Sequence, residues 1–158
     1  MPDLRDSPNA RVRPSEPSDV DWMASRLREA DLREIEAHAG IGAETALGIG
    51  LQRSSQCYTG LWKDEPFIMF GAGRVFEDVG NVWLLGTDRV KEARVPLLRQ
   101  SRRWLGELHK EYPLLFNYVD ARNTLHIKWL RWLDFRFINL HPQFGVGGLP
   151  FYEFVRLV

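Results

Sequence analysis

Asn123 and His126 are the side chains whose types and setting first suggest chemistry. Both lie in "NYVDARNTLHIKWLRWLDF", residues 117–135, where an apolar, strand-like lead-in (Leu114 to Val119) gives way at "DARNT" to a helical period rich in Trp and Leu. A histidine can exchange a proton near neutral pH. His126, however, falls in the wide apolar arc of Leu125, Trp129, Leu130, Trp132 and Leu133. That placement predicts a structural, hydrogen-bonded imidazole, with Trp129 and Trp132 in the core. Asn123 precedes the helical run, and an N-cap role accounts for it without any ligand. The four histidines (38, 109, 126 and 141) show no ligand spacing, and Cys57 is the single cysteine, so no metal site is expected. Cys57 reads as a small core residue at the start of a strand. Gly71 and Gly73 in "FGAG" precede no helix, so they mark a bulge or a close packing point rather than a phosphate loop. Arg99, Arg102 and Arg103 read as the solvated face of a helix.

The chain must bury enough surface to hold such a corner in place. Its 158 residues suit one domain, and 44% hydrophobic with 12% aromatic residues is too apolar for disorder. With 27% charged residues and no long apolar run, a membrane span is not expected. Lys plus Arg and Asp plus Glu number 21 each, so there is no excess of cations for binding nucleic acid non-specifically. One cysteine and no signal-peptide pattern imply a reducing, cytosolic site of synthesis.

Period and punctuation give the elements. Residues 1–10, polar and without periodicity, read as a flexible leader, and 11–158 as the domain. "RVRP" is a short strand. "SEPSDVDWMASRLREADLREIEAHAG" reads as helical, capped at Ser18 or Asp19 and broken near Asp31. "AETALGIGLQRSS" gives a glycine-weakened helix. Two strands then flank Lys63-Asp64-Glu65-Pro66, and "GNVWLLGT" is a central strand, apolar on both faces. "PLLRQSRRWLGELHKEY" is an amphipathic helix with Pro96 in its first turn. Strand "LLFNYV", helix "TLHIKWLRWL" and strands "FRFINL" and "FYEFVRLV" complete an α+β domain with one mixed sheet covered by helices. Within it, strands 81–87 and 114–119 should be parallel neighbours joined by a crossover helix.

This order, from Arg11 to Val158, resembles the GNAT superfamily of acetyl-CoA-dependent N-acetyltransferases. The most specific match is "VDARNTLHIKWLRWLDF". Asn123 fills the family's Asn slot, His126 its Ala slot, Leu130 its Tyr slot, and Asp134-Phe135 its Gly-Phe slot. The resemblance implies splayed central strands whose free backbone, around Leu85 and Gly86, bonds the pantetheine arm. It also implies a pyrophosphate at the next helix start, where backbone N–H groups and the dipole favour an anion. In the matching window, Arg89 to Arg94, Glu92 and Arg94 take the glycine slots, and Pro96 removes one donor. Arg89, Lys91 and Arg94 are left to bind phosphate with their side chains, and Asn123 is counted with them and with Leu85 and Gly86 among the cofactor-binding residues, so weak acetyl-CoA binding is expected. Leu130 cannot protonate a thiolate, and "VWLLG" offers no carboxylate, so neither acid nor base is evident.

A narrower resemblance, carried by "NYV…NTLHIKWL" and the Phe-rich hairpin after it, is to the GNAT-like internal virion protein A family of short-tailed phages. It implies a virion-assembly or internal virion component with weak or absent catalysis. Its partners would be other phage structural proteins, in the host cytoplasm or within the virion. The alternative is an active N-acetyltransferase acting on a phage or host amine.

Overall fold

The computed structural model describes residues 8–158; the first seven residues of the expected leader lie outside the described residues. Strand β1 (Ala10–Pro14) leads into α1 (Pro17–Ala24), α2 (Glu29–Ala39) and α3 (Ala43–Arg53). An antiparallel run follows: β2 (Gln56–Trp62), β3 (Glu65–Phe76) and β4 (Val79–Gly86). A single 3-10 turn (Asp88–Val90) precedes α4 (Arg94–Glu111), then β5 (Leu114–Asp120), α5 (Thr124–Trp132), β6 (Arg136–Phe144) and β7 (Leu149–Leu157). All seven strands join one sheet in the order β1-β2-β3-β4-β5-β7-β6. Every neighbouring pair is antiparallel except β4 and β5, which run parallel and are joined through α4 as expected. No helix among the described residues is long and apolar enough to cross a membrane.

Helices cover both faces. Val20, Met23, Ala43 and Leu47 from α1 and α3 pack on Met69 and Leu85. Leu105, Leu108, Ile127 and Leu130 from α4 and α5 pack on Ala72, Leu115 and Val119 of the opposite face. Burial of these side chains drives the layering, at roughly 25 cal/mol per Å² of apolar surface removed from water.

The first helical segment departs from expectation. Glu16, not Ser18 or Asp19, is the N-cap of α1. Asp19 sits one turn in, where its buried carboxylate accepts from Glu16 N–H and Thr59 Oγ1 at 2.8 Å and from both Arg13 terminal nitrogens. The break falls at residues 25–28 rather than at Asp31, because Leu27 leaves the helix to bridge Thr87 beyond the end of β4. Gly71 and Gly73 are close packing points, as read: a Cβ there would lie 2.4 Å from Gln56 O and 2.6 Å from Arg53 O, respectively.

Candidate active site

Strands β4 and β5 pair over only three positions, Val79 with Leu114, Gly80 with Leu115 and Asn81 with Phe116. Beyond them the strands part. Asn117 fills the apex, its Nδ2 donating to Val82 O at 2.6 Å while its Oδ1 accepts from Tyr118 N–H. Buried peptide groups need partners, and at the open ends two acids of α2 supply them. Asp31 Oδ2 accepts from Gly86 N–H at 2.9 Å, closing the end of β4. Glu34 Oε1 accepts from Asp120 N–H at 2.9 Å, closing the end of β5. Helix α2 is therefore the wedge that holds the split open. Thr87 N–H donates toward β3, to Phe67 O, whereas Gly86 N–H and Val82 O face the split. By alternation along the strand, the N–H and C=O of Leu84 face the split too.

A cavity of about 650 Å³ passes this split, its lining drawn from both faces of the sheet. On the α4–α5 side it meets Val82, Leu97, Trp104, Trp129 and Leu130; on the α2–α3 side it meets Glu34, Ile35, Ile49 and Trp83. Glu34 is the only carboxylate in the lining. Its side chain is 13% exposed, and burial together with the nearby Asp31 charge pushes its carboxyl up to about 8. His126 is 8% exposed and lies 4.0 Å from Glu34 through its Nδ1, which has no hydrogen-bond partner. The hydrogen-bonded structural role expected of it thus fails at that nitrogen. Burial holds the imidazole below its ordinary value, hence neutral at pH 7. Trp129 Nε1, also in the lining, is a second buried donor without a partner.

Asn123 occupies the N-cap position of α5, yet its side chain makes no cap bond. Its Nδ2 instead donates to Asp31 Oδ1 at 3.1 Å, and its Oδ1 accepts from Arg28 at 3.4 Å. The turn before α5 is held by Asp120, whose Oδ1 accepts from Arg122 N–H at 2.8 Å while its carboxylate pairs with the Arg122 guanidinium. Of the sequence-expected site residues, Leu85 lines the cavity, whereas the Gly86 N–H is committed to Asp31. Arg89, Lys91 and Arg94 lie on the turn and helix start beyond β4. Arg89 is paired with Glu65 at 2.7 Å and with Glu92 at 3.3 Å. Glu92 also meets Lys63 at 3.3 Å, and Lys63, the Trp62 indole and Arg89 draw its carboxyl below the usual range, so its negative charge is largely offset by the two cations. The loop's own amides are spent: those of Arg89, Val90, Lys91 and Ala93 all bond within the segment 87–93. Trp132, expected in the core, is instead 42% exposed, with the Arg102 guanidinium stacked 4.2 Å from its ring centroid.

Asp31, Glu34 and His126 bring three ligand-type atoms within 4.8 Å of one another. Asp31 is already saturated by Arg28, Asn123 and Gly86, and the Arg28 guanidinium supplies the positive charge that a metal would bring. Glu34 was missed from sequence because its heptad-like setting in "DLREIEAHA" gives no sign that it reaches a split formed by strands 50 and 80 residues downstream. The one signal was a run of acids, Asp31 and Glu34, on the face of a helix next to two glycines.

No family model matches the chain, and no curated protein matches its sequence. Solved structures match its fold. Ard1 from Thermoplasma volcanium superposes with a TM-score of 0.77 at 11% identity, over 95% of this chain and 98% of that one. A GNAT-family acetyltransferase from Bacillus anthracis gives 0.70 at 10% identity, over 94% and 95%. YncA from Salmonella typhimurium, solved with acetyl-CoA, gives 0.64 at 13% identity, over 94% of each chain. At these identities the likeness establishes architecture alone, and that architecture is the GNAT acyl-CoA N-acyltransferase fold.

Proposed function

We propose that the protein is an acetyl-CoA-dependent N-acetyltransferase in which Glu34 is the general base. The observation that carries this reading is a single carboxylate, raised to about 8, at the mouth of a split that opens to both faces of the sheet. Acetyl-CoA, when bound, supplies an acetyl thioester. The cavity fits its pantetheine end: the Leu84 peptide faces the split, and Trp129 Nε1 and His126 Nδ1 are buried polar atoms awaiting partners. Its phosphate end would rest on the side chains of Arg89, Lys91 and Arg94, since most amides of the loop are spent. Glu34 accepts the proton lost as the amine attacks, a task suited to a group that titrates near working pH. Leu130 has no proton to give the departing thiolate, which would leave as the anion and take a proton from solvent; His126 is the imidazole placed against Glu34.

Glu34→Gln tests the reading. It keeps an acceptor for Asp120 N–H but cannot take a proton. Acetyl transfer should fall about 10²–10⁴-fold with acetyl-CoA affinity unchanged; equal loss of binding and turnover would point to a positional role instead. A second reading, a binding scaffold with weak catalysis, is favoured by the glycine-free loop and by Leu130. The virion role rests on the narrower sequence likeness alone.

A further inference from the structure

The α2–α3 side of the split, where an acceptor would enter, has a composition that selects among amines. Ile35 and Ile41 from α2 and the segment after it, Ile49 from α3 and Trp83 from β4 are each half-buried and line the cavity. Trp83 is fixed there: its Nε1 donates to Ser54 Oγ at 2.7 Å, and its ring covers Gly50, where an added Cβ would lie 2.6 Å from the ring. Glycine at 50 is what lets the indole lie flat against α3 and present a broad apolar wall. Besides Glu34, the charged lining residue on this side is Arg53 at the end of α3; Arg74 stacks on Tyr112 on the α4–α5 face, and Arg11 is paired with Asp64 at 2.6 Å. A polyamine carries a second and third ammonium that need carboxylates once the first has reached Glu34. The described lining offers no second carboxylate, and Arg53 on the same helix as Ile49 repels them. An apolar group next to the amine, by contrast, removes its own surface and that of the isoleucines and Trp83 from water.

We propose that the α2–α3 half of the cavity is an acceptor subsite for a primary amine whose neighbouring carbon carries an apolar or aromatic group, and that it rejects polycationic amines. The proposal rests on the acetyl-transfer reading and specifies its acceptor. Two sources share this chemistry: a free arylalkylamine and the α-amine of a peptide that begins with an apolar residue. The Glu34 carboxylate receives the ammonium or its released proton, and the apolar wall orients the rest.

The test is acetyl transfer by the full chain, with acetyl-CoA as donor, to four acceptors at equal concentration: a tetrapeptide beginning with Leu, the same peptide beginning with Asp, phenethylamine, and spermidine. The expected result is a kcat/KM at least about tenfold higher for the Leu peptide or phenethylamine than for the Asp peptide and spermidine, about 1.4 kcal/mol of discrimination. Whichever of the two preferred acceptors is faster identifies the source. Ile49→Glu, which supplies a carboxylate to the wall, should narrow or reverse the gap toward spermidine. Transfer to spermidine or to the Asp peptide as fast as to the better of the Leu peptide and phenethylamine overturns the subsite while leaving acetyl transfer standing. Transfer to none of the four, with acetyl-CoA unconsumed, removes the acetyl-transfer reading and the subsite with it.

Discussion

On the proposed reading Glu34 is an acid whose burial makes it a base of useful strength, and the same burial has a cost that pH reveals. The folded protein holds a proton on Glu34 up to about 8, whereas an ordinary glutamate carboxyl titrates near 4.5. Between those values the native state binds more protons than the unfolded chain, so stability falls as pH rises through that window. Glu34→Gln cannot ionise. Its melting temperature relative to wild type should therefore climb from about pH 5 to about pH 8 and level off above. A difference that stays constant across this range would mean that Glu34 is not perturbed. Activity has the opposite slope, since the base must be ionised to act: transfer by the wild type should rise toward pH 8.

At the scale of elements, α2 does what a missing ladder would otherwise do. Asp31 and Glu34 cap the ends of β4 and β5, and Asp31 also holds Arg28 and Asn123. Asp31→Ala leaves Arg28 buried without its partner and Gly86 N–H without an acceptor. Breaking such a buried pair costs about 3–5 kcal/mol, readable as a shift in the urea midpoint; a loss under about 1 kcal/mol, the scale of a surface pair, would show that α2 does not wedge the split. On the same side of the sheet, Gly73→Ala places a methyl against Arg53 O at the end of α3 and should cost about 1–3 kcal/mol. The elements were legible because each carries its own period: "PLLRQSRRWLGELHKEY" can only hide its Leu and Trp as a helix, and "GNVWLLG" is apolar on both faces as a central strand must be. The break after α1 was not, because Leu27 leaves the helix for a contact with Thr87 sixty residues away, which no local pattern encodes. The site was less legible still. Asn123 was found but given its local role, capping, when its side chain serves a tertiary one, and Glu34 went unseen because its partners lie on β5 and α5.

Across the described residues, seven strands and five helices frame one parallel pair that parts after three positions. On the proposed reading the amine would approach from the α2–α3 side and the acetyl donor from the α4–α5 side, with the split between them. The departures from the family pattern, Leu130, His126 and the glycine-free turn, all fall on the donor side, which is why acetyl-CoA affinity should be modest, on the order of 0.1 mM, or about −5.5 kcal/mol. An amide-resolved NMR titration of acetyl-CoA into the full chain tests this most directly. The account predicts saturable shifts of the Leu84 and Tyr118 amides, which flank the split, and of the Trp129 indole N–H, all following one dissociation constant near that value. Shifts confined to the exposed basic face around Arg102 and Trp132, or none at all, would contradict it.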